Sequence, residues 1–538
     1  MTRGLGLIGI ACVVALGCGD DDLGIPHTGS DGGGYDAYWG GSDAGSDAGG
    51  PTDPDDPDDP NGDMYDDVGT NPFVETAHDP FSTFGADVDT ASYDIFVRDV
   101  EDGYLPHPHS VRLEEYVNFF DYDYPAPEPD AEIPFAIDLD ASAHPMGRQL
   151  AHLRIGIQAA QPHAFEKKDT NLVYLIDTSG SMNHPDKLPL VQHLMRESLG
   201  VLDPDDQVSI VTYAGTVAVA LPPTPASDVA TITRAIDGLL SGGGTAGASG
   251  IHLAYEQAED AFIEGGFNHV ILCTDGDFNI GISDPDRLVD LIEEKRTTGI
   301  TLTAIGFGRG NLNDAMMERV SNAGNGIYNV LSSEAQATRY AEEKLLHTIQ
   351  HVARDLKIQV ELNPEHVIAY RLLGYENRAI ADMDFRNDAV DAGDVGAGHR
   401  VTALYELVLA GQSIPMPEGA PPATAGDPVE GEREIDPSEL VRVKVRWKDP
   451  GASAEDPAYE TTASLLPEDI ASATEADLDL LWASAIAAFA EILKESPFSD
   501  LRDLARIEMI VTPQASRDDD RALFVELFGT ARGLLPTP

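Results

Sequence analysis

Cysteine is nearly absent from this chain: its 538 residues include 3, Cys12, Cys18 and Cys273. A disulfide-stapled scaffold is thereby excluded, as is a zinc centre built on clustered thiolates. Basic residues are scarce too, with 34 Lys plus Arg against 93 Asp plus Glu and a formal net charge of -59. Recognition of nucleic acid or of an anionic membrane surface needs clustered cations, and this balance argues against both. The apolar stretch Leu5–Leu16 is too short to cross a bilayer comfortably. Enzyme signatures are also missing. Gly242-Gly243-Gly244-Thr245 lacks the Gly-Lys-Ser/Thr ending of a phosphate loop, and Ile280 stands where an EF-hand beginning at Asp275 requires glycine. Asp177-Thr178-Ser179 lacks the glycine of an aspartic protease, and Ser179 has no His or Lys at a nucleophile-base spacing. The chain reads as non-enzymatic.

What it does have is Leu172–Met182, an apolar run of strand length broken abruptly by Asp177, Thr178, Ser179, Gly180 and Ser181. This pattern predicts a buried parallel strand that delivers oxygen-bearing side chains onto a tight loop. The carboxylate of Asp177 and the hydroxyls of Ser179 and Ser181 alternate, so a curled loop aims all three inward, with Gly180 giving the bend. Such a set suits Mg²⁺, a hard cation that takes oxygen ligands and keeps water in the remaining places. Ca²⁺ and Mn²⁺ remain alternatives, whereas zinc is not indicated.

Asp177-x-Ser179-x-Ser181 resembles the first motif of the metal-ion-dependent adhesion site of von Willebrand factor type A (VWA) domains. The family's threonine is matched by Thr245 and its second aspartate by Asp275, in Val270-Ile271-Leu272-Cys273-Thr274-Asp275. The resemblance implies that Ser179 and Ser181 bind the ion directly. Asp177 and Asp275 would hold it directly or through water, and Thr245 would move with the ligand state. One vacant position would then accept a carboxylate from a partner protein. Around the motifs, strands are expected at Leu172–Ile176, Gln207–Tyr213, Val217–Leu221, Val270–Thr274, Thr301–Phe307 and Gly326–Val330. Helices fit Leu188–Gly200, Asp228–Leu239, Ala246–Glu264, Pro285–Thr298, Asn313–Ala323 and Glu334–His351. This alternation predicts an α/β fold, a Rossmann-like doubly wound VWA domain over 166–351 with ligands at the carboxyl ends of its strands.

The N-terminus reads as an export signal over 1–18, with Arg3 leading the apolar stretch. Ala15-Leu16-Gly17-Cys18 resembles a bacterial lipobox, which implies lipid on Cys18 and a place in the bacterial envelope, the outer membrane favoured. Membrane contact would then be through the lipid alone. Cys273, inside an apolar run, reads as a small buried hydrophobe. Residues 19–70, rich in Asp, Gly, Ser and Pro, are expected to form a disordered tether.

A region over 71–165 follows, with helical patterns at Tyr93–Glu101 and Ser110–Phe120 and strand-like alternation at Ile133–Asp140 and His152–Gln158, placed beside the metal domain or across its edge. Asp87-Val88-Asp89 has the look of a phosphatase nucleophile pair, but Ala91 replaces the expected threonine. His144 and His152 read as isolated surface or strand-pairing residues. Beyond the metal domain, short alternating runs at Leu356–Leu362, Val367–Leu373, His399–Val408 and Leu440–Trp447 predict a β-sandwich-like domain over 352–466. C-terminal helices over 467–538 are expected at Glu475–Glu495 and Arg521–Leu534, whose Trp and Phe stripe reads as core. Val111-Arg112-Leu113-Glu114-Glu115, Asn118-Phe119-Phe120-Asp121-Tyr122 and Tyr370–Arg378 are similar to bacterial YfbK-type VWA proteins. The expected function is an envelope lipoprotein that holds a divalent cation and uses it to bind a protein. The alternatives are a structural or assembly role in which the ion only stabilises a loop, and a Mg²⁺-dependent hydrolase.

Overall fold

The computed structural model describes residues 62–128, 131–161, 168–243, 248–276, 285–388, 390, 392–426, 433–450, 452 and 456–536. The signal, Cys18, most of the tether, and Thr245 lie outside them. Thr170–Asp177, buried at every position, is the central strand of a six-stranded sheet. Gln207–Tyr213 and Phe267–Thr274 flank it in parallel, followed by Ile300–Phe307 and Tyr328–Leu331. The other edge is the antiparallel Val217–Pro225. Alternate strand residues supply two cores. Leu172, Tyr174, Ile176 and Cys273 pack under the helices Leu188–Ser198 and Val229–Asp237. Val173, Leu175, Val270 and Leu272 pack under Ala248–Asp260, Pro285–Arg296 and Asp314–Ala323. Burial on both faces is why the middles of these strands are largely apolar, as a parallel sheet requires. Cys273 is a fully buried thiol in the first of these cores.

The remainder is interleaved, which corrects the expected succession of separate N-terminal, β-rich and C-terminal regions. Phe135–Ala143 and Ala151–Ala159 do not join this six-stranded sheet. They pair with each other, and Ala151–Ala159 also pairs with Arg400–Leu409, which in turn pairs with Val367–Leu373. The facing sheet is built on His351–Leu362, flanked by Phe81–Gly85 and by Val441–Lys448, with Tyr459–Leu465 outside the latter. One core, including Ile155, Ile157, Val360, Ala403, Val443 and Trp447, fills the sandwich. Helices from both ends of the chain share another: Tyr93, Phe96, Phe119 and Phe120 meet Trp482, Phe489, Phe524 and Phe528. The VWA domain is thus an insertion in the sandwich. Its entry and exit are pinned together, because Gly398 N–H bonds the carbonyl of Ala160 and Ala397 N–H that of Gln350 (both 2.7 Å).

Two further expectations change. The tether ends before residue 70, since Asp63 is fully buried on Arg98 (2.8 Å) and Tyr65 packs beside Ile95 and Leu312. An Asp-rich composition hides a carboxylate that serves as an internal counter-ion. The helix expected over Glu334–His351 is broken into Glu334–Arg339, a π-turn at Tyr340–Lys344 and Leu345–Ile349.

Candidate metal centre

Asp177 closes the central strand and Asp275 follows its parallel neighbour, so both carboxylates stand at the carboxyl end of the sheet, each fully buried. The loop after Asp177 curls back at once: Ser179 N–H donates to Asp177 Oδ1 (2.7 Å), and the Ser179 and Ser181 hydroxyls lie 2.8 Å apart. Gly180 N–H reaches the Gly243 carbonyl (3.3 Å) and Gly242 N–H that of Thr178 (2.8 Å), so the glycine run leans on the Asp-x-Ser-x-Ser loop. Thr274 Oγ1 donates to Asp177 Oδ2 (3.3 Å) and accepts from Gly276 N–H (3.2 Å), tying the two aspartate segments together. Burial pushes the Asp177 carboxyl up to about 6, and the negative charge of Asp275 adds to the rise. Two buried carboxylates with two hydroxyls, all hard oxygens, fit a divalent cation in both charge and donor type. Gly180 and Ser181 are exposed, so the top of the loop is open to solvent.

One residue of the site escapes sequence reasoning. Lys187 Nζ bonds Asp275 Oδ2 (2.9 Å) and Asn311 Oδ1 (3.2 Å), its stem lying against Gly308, where an added Cβ would stand 2.6 Å from Lys187 Cγ. The side chain is only 9% exposed. A buried ammonium on one of the two carboxylates supplies part of the positive charge they call for. In sequence it is one lysine before an amphipathic helix, with no signal of its partner.

Two other carboxylate clusters were not legible in the sequence. His144 and His152, far from isolated, face each other across Glu406, with ring centroids 4.0 Å apart and all three residues buried. Burial pushes His144 down to about 3. Its Nδ1 accepts from Met146 N–H (3.0 Å), which assigns the proton to Nε2, and Nε2 donates to Glu406 Oε1 (3.0 Å). A nitrogen that carries a proton is no metal ligand, and Glu406 is already held by Arg371 (2.9 Å) and Arg148 (3.0 Å). Asp87 and Asp89, with Glu318, surround the guanidinium of Arg378 at 2.9–3.0 Å. Arg378 thereby ties the N-terminal Asp87 and Asp89 to Glu318 of the VWA domain.

Residues 171–344 match the family model described as von Willebrand factor type A domain, 59–154 one described as von Willebrand factor, and 347–534 one described as Uncharacterized protein YfbK, C-terminal. The protein called Uncharacterized protein YfbK from Escherichia coli K12 is 36% identical over 482 residues, 87% of this chain and 81% of that one. The chain belongs to the YfbK family of VWA proteins. Uncharacterized protein sll0103 of Synechocystis is 25% identical over 51% of the chain and 64% of its own length. Among solved structures, the von Willebrand factor type A protein of Catenulispora acidiphila covers 76% of the chain and 89% of its own, at 16% identity and TM-score 0.39. The proximal thread matrix protein 1 of mussel byssus, in a form described with a zinc-occupied MIDAS motif, covers 35% and 46% at 23% identity and TM-score 0.28. Asp177, Ser179, Ser181 and Asp275, the described residues of the sequence motif, come together at the carboxyl end of the sheet.

Proposed function

We propose that this protein is a lipid-anchored envelope protein that holds a divalent cation at its VWA domain and uses it to bind an acidic side chain of a partner protein. The observation that carries the reading is the curled loop in which the Ser179 and Ser181 hydroxyls lie 2.8 Å apart, beside buried Asp177 and Asp275. Ser179, Ser181, Asp177 and Asp275 would hold the ion, with Thr245 the fifth residue by resemblance. Mg²⁺ is favoured, Ca²⁺ or Mn²⁺ being the alternatives, because hydroxyls and few carboxylates suit a small hard ion that keeps water. The ion supplies an electrophilic position for an incoming carboxylate. The reading is of binding rather than catalysis: among the described residues Ser179 Oγ is bonded to the Ser181 hydroxyl (2.8 Å), and no nitrogen base there is bonded to it. The Cys18 lipobox and the Asp-rich segment that follows support display of the folded part from the outer membrane.

The test is affinity capture from envelope extracts in Mg²⁺ and in EDTA, with Asp177→Ala as control. Capture of the same protein by wild type in Mg²⁺ only, and by Asp177→Ala in neither, is expected. Equal capture in EDTA overturns the reading.

A further inference from the structure

The π-turn at Tyr340–Lys344 lies in the last helical segment of the VWA domain, just before the chain returns to the sandwich. Single π-turns recur at functional sites because the wider turn re-aims side chains. Here Arg339, Lys344 and His347 line one cavity of about 400 Å³, closed on other sides by Asn329, His399 and Arg400. In a chain of net charge -59, this gathering of donors runs against composition.

One donor is buried without a partner, and a second, half-buried, makes no ion pair among the described residues. Asn329 is 2% exposed; its Oδ1 accepts the Thr90 hydroxyl (3.2 Å), while its Nδ2 has no hydrogen-bond partner among the described residues. Lys344 Nζ reaches Thr90 Oγ1 (3.3 Å) and stands 4.9 Å from the Phe119 ring centroid. Among the described residues no carboxylate lies within ion-pair distance of it; burial lowers its pKa, and the Asp94 carboxylate, reached through the Thr90 hydroxyl (3.5 Å), acts against that shift. A buried donor left unpaired is costly, more so when charged, so such a group calls for a ligand or water. His399 adds to the set: its Nδ1 accepts from Gly396 N–H (3.2 Å), which leaves Nε2 as a donor. The acidic residues on the same wall are spent or outward. Arg400 holds Asp121, which is 70% exposed, while Arg339 holds Glu343 and Asp520, and Glu342 is exposed.

We propose that this cavity is a second binding site, separate from the metal centre, for a small molecule whose carboxylate or phosphate group is received by Lys344 Nζ and Asn329 Nδ2. An ammonium and an amide N–H₂ converging on one space offer hydrogen bonds that only an acceptor can complete, and a charge that favours an oxyanion. The volume exceeds that of an inorganic anion, so the ligand carries further atoms that the imidazoles and the Phe119 side contact.

Isothermal titration of the full chain, freed of metal by dialysis against a chelating resin, tests this with inorganic phosphate and with acetate against sodium chloride of equal ionic strength. Saturable heat with phosphate alone assigns a phosphorylated ligand, with acetate alone a carboxylate, and with both an oxyanion pocket of broad choice. Lys344→Met and Asn329→Asp are each expected to weaken that binding by at least about tenfold, the loss of one charge-assisted hydrogen bond. Asn329→Asp conserves size and the Thr90 contact, so it decides the matter if Lys344→Met does not fold by circular dichroism. No saturable heat beyond chloride with either anion, or wild-type affinity in either folded variant, overturns the proposal.

Discussion

Under the proposed function, Lys187 and a divalent cation would make opposite demands on Asp275. The ammonium, 2.9 Å from Oδ2 and nearly buried, compensates the carboxylate when no ion is bound, and it repels an ion that approaches the same oxygens. Lys187→Met is therefore expected to destabilise the metal-free protein by about 3–5 kcal/mol, the cost of breaking a buried pair from one side. The same change should enlarge the rise in melting temperature produced by Mg²⁺, because the ion then supplies the missing charge. Differential scanning fluorimetry in EDTA and in Mg²⁺ separates the two effects, and an equal Mg²⁺ response in wild type and variant would show that the lysine is indifferent to the ion. His269 makes a second prediction at this scale. It is fully buried on the strand beside the central one, its Nδ1 on Thr301 Oγ1 (2.6 Å), and burial pushes its pKa from 6.5 down to about 3. The folded state binds the proton less readily than the unfolded chain. The stability this provides is fully present above pH 6.5 and is lost as pH falls from 6.5 through about 3. His269→Gln, which cannot charge, should flatten the acid loss between about pH 6.5 and 4 by an amount on the order of a few kcal/mol in urea titrations.

At the scale of the element, the sandwich strand Ala151–Ala159 depends on a missing side chain. Gly156 lies under the ring of Tyr124, where an added Cβ would sit 2.5–2.7 Å from three ring carbons. Tyr124 is fixed there by its hydroxyl on Thr402 Oγ1 (2.9 Å) and by Arg154 over its ring at 5.0 Å. Gly156→Ala should cost about 1–3 kcal/mol, read as a lower urea midpoint at unchanged slope. No pattern in the sequence announces this contact, since it joins a Pro-rich break to a strand. The metal domain was far more legible. Its strands are buried on both faces and continuous in apolar residues, so Leu172–Ile176 and Gln207–Tyr213 show as periodicity alone, and the motif residues stand where those runs stop. The sandwich strands were visible as alternation, but their partners were not. Ala151–Ala159 finds Arg400–Leu409 across some 240 residues of intervening chain, and alternation carries no address. Lys187, Glu406 and Arg378 were hidden for the same reason, because each acts through a carboxylate or guanidinium distant in sequence. The π-turn was hidden by its composition, which continues a helix without a break.

For the whole molecule, the question is whether an ion held in the inserted domain is felt beyond it. The insertion is pinned at both ends by Ala397 and Gly398, and it is further tied by Arg112 to Asp314 (2.5 Å) and by Arg378 to Glu318 (2.9 Å). Its edge strand Tyr328–Leu331 is covered by the helix Ala91–Glu101, whose Ala91 and Ile95 pack with Tyr328 and Val330. Covering an edge in this way leaves the domain without its own finished surface, so it should melt together with the rest. Tryptophan reports on this directly, because the VWA domain contains none: Trp447 lies in the sandwich core and Trp482 in the helical core. In a Trp39→Phe background, Mg²⁺ at about one hundred times its dissociation constant should stabilise the protein by about 2.7 kcal/mol, the mass-action gain of a ligand bound only to the folded state. If melting is cooperative, that gain appears in the urea midpoint read by tryptophan fluorescence, and the same shift is seen by far-ultraviolet circular dichroism. A circular-dichroism transition that moves with Mg²⁺ while the fluorescence midpoint stays fixed would mean that the inserted domain unfolds alone. The ties through Arg112 and Arg378 would then be too weak to carry the ion's effect to the sandwich.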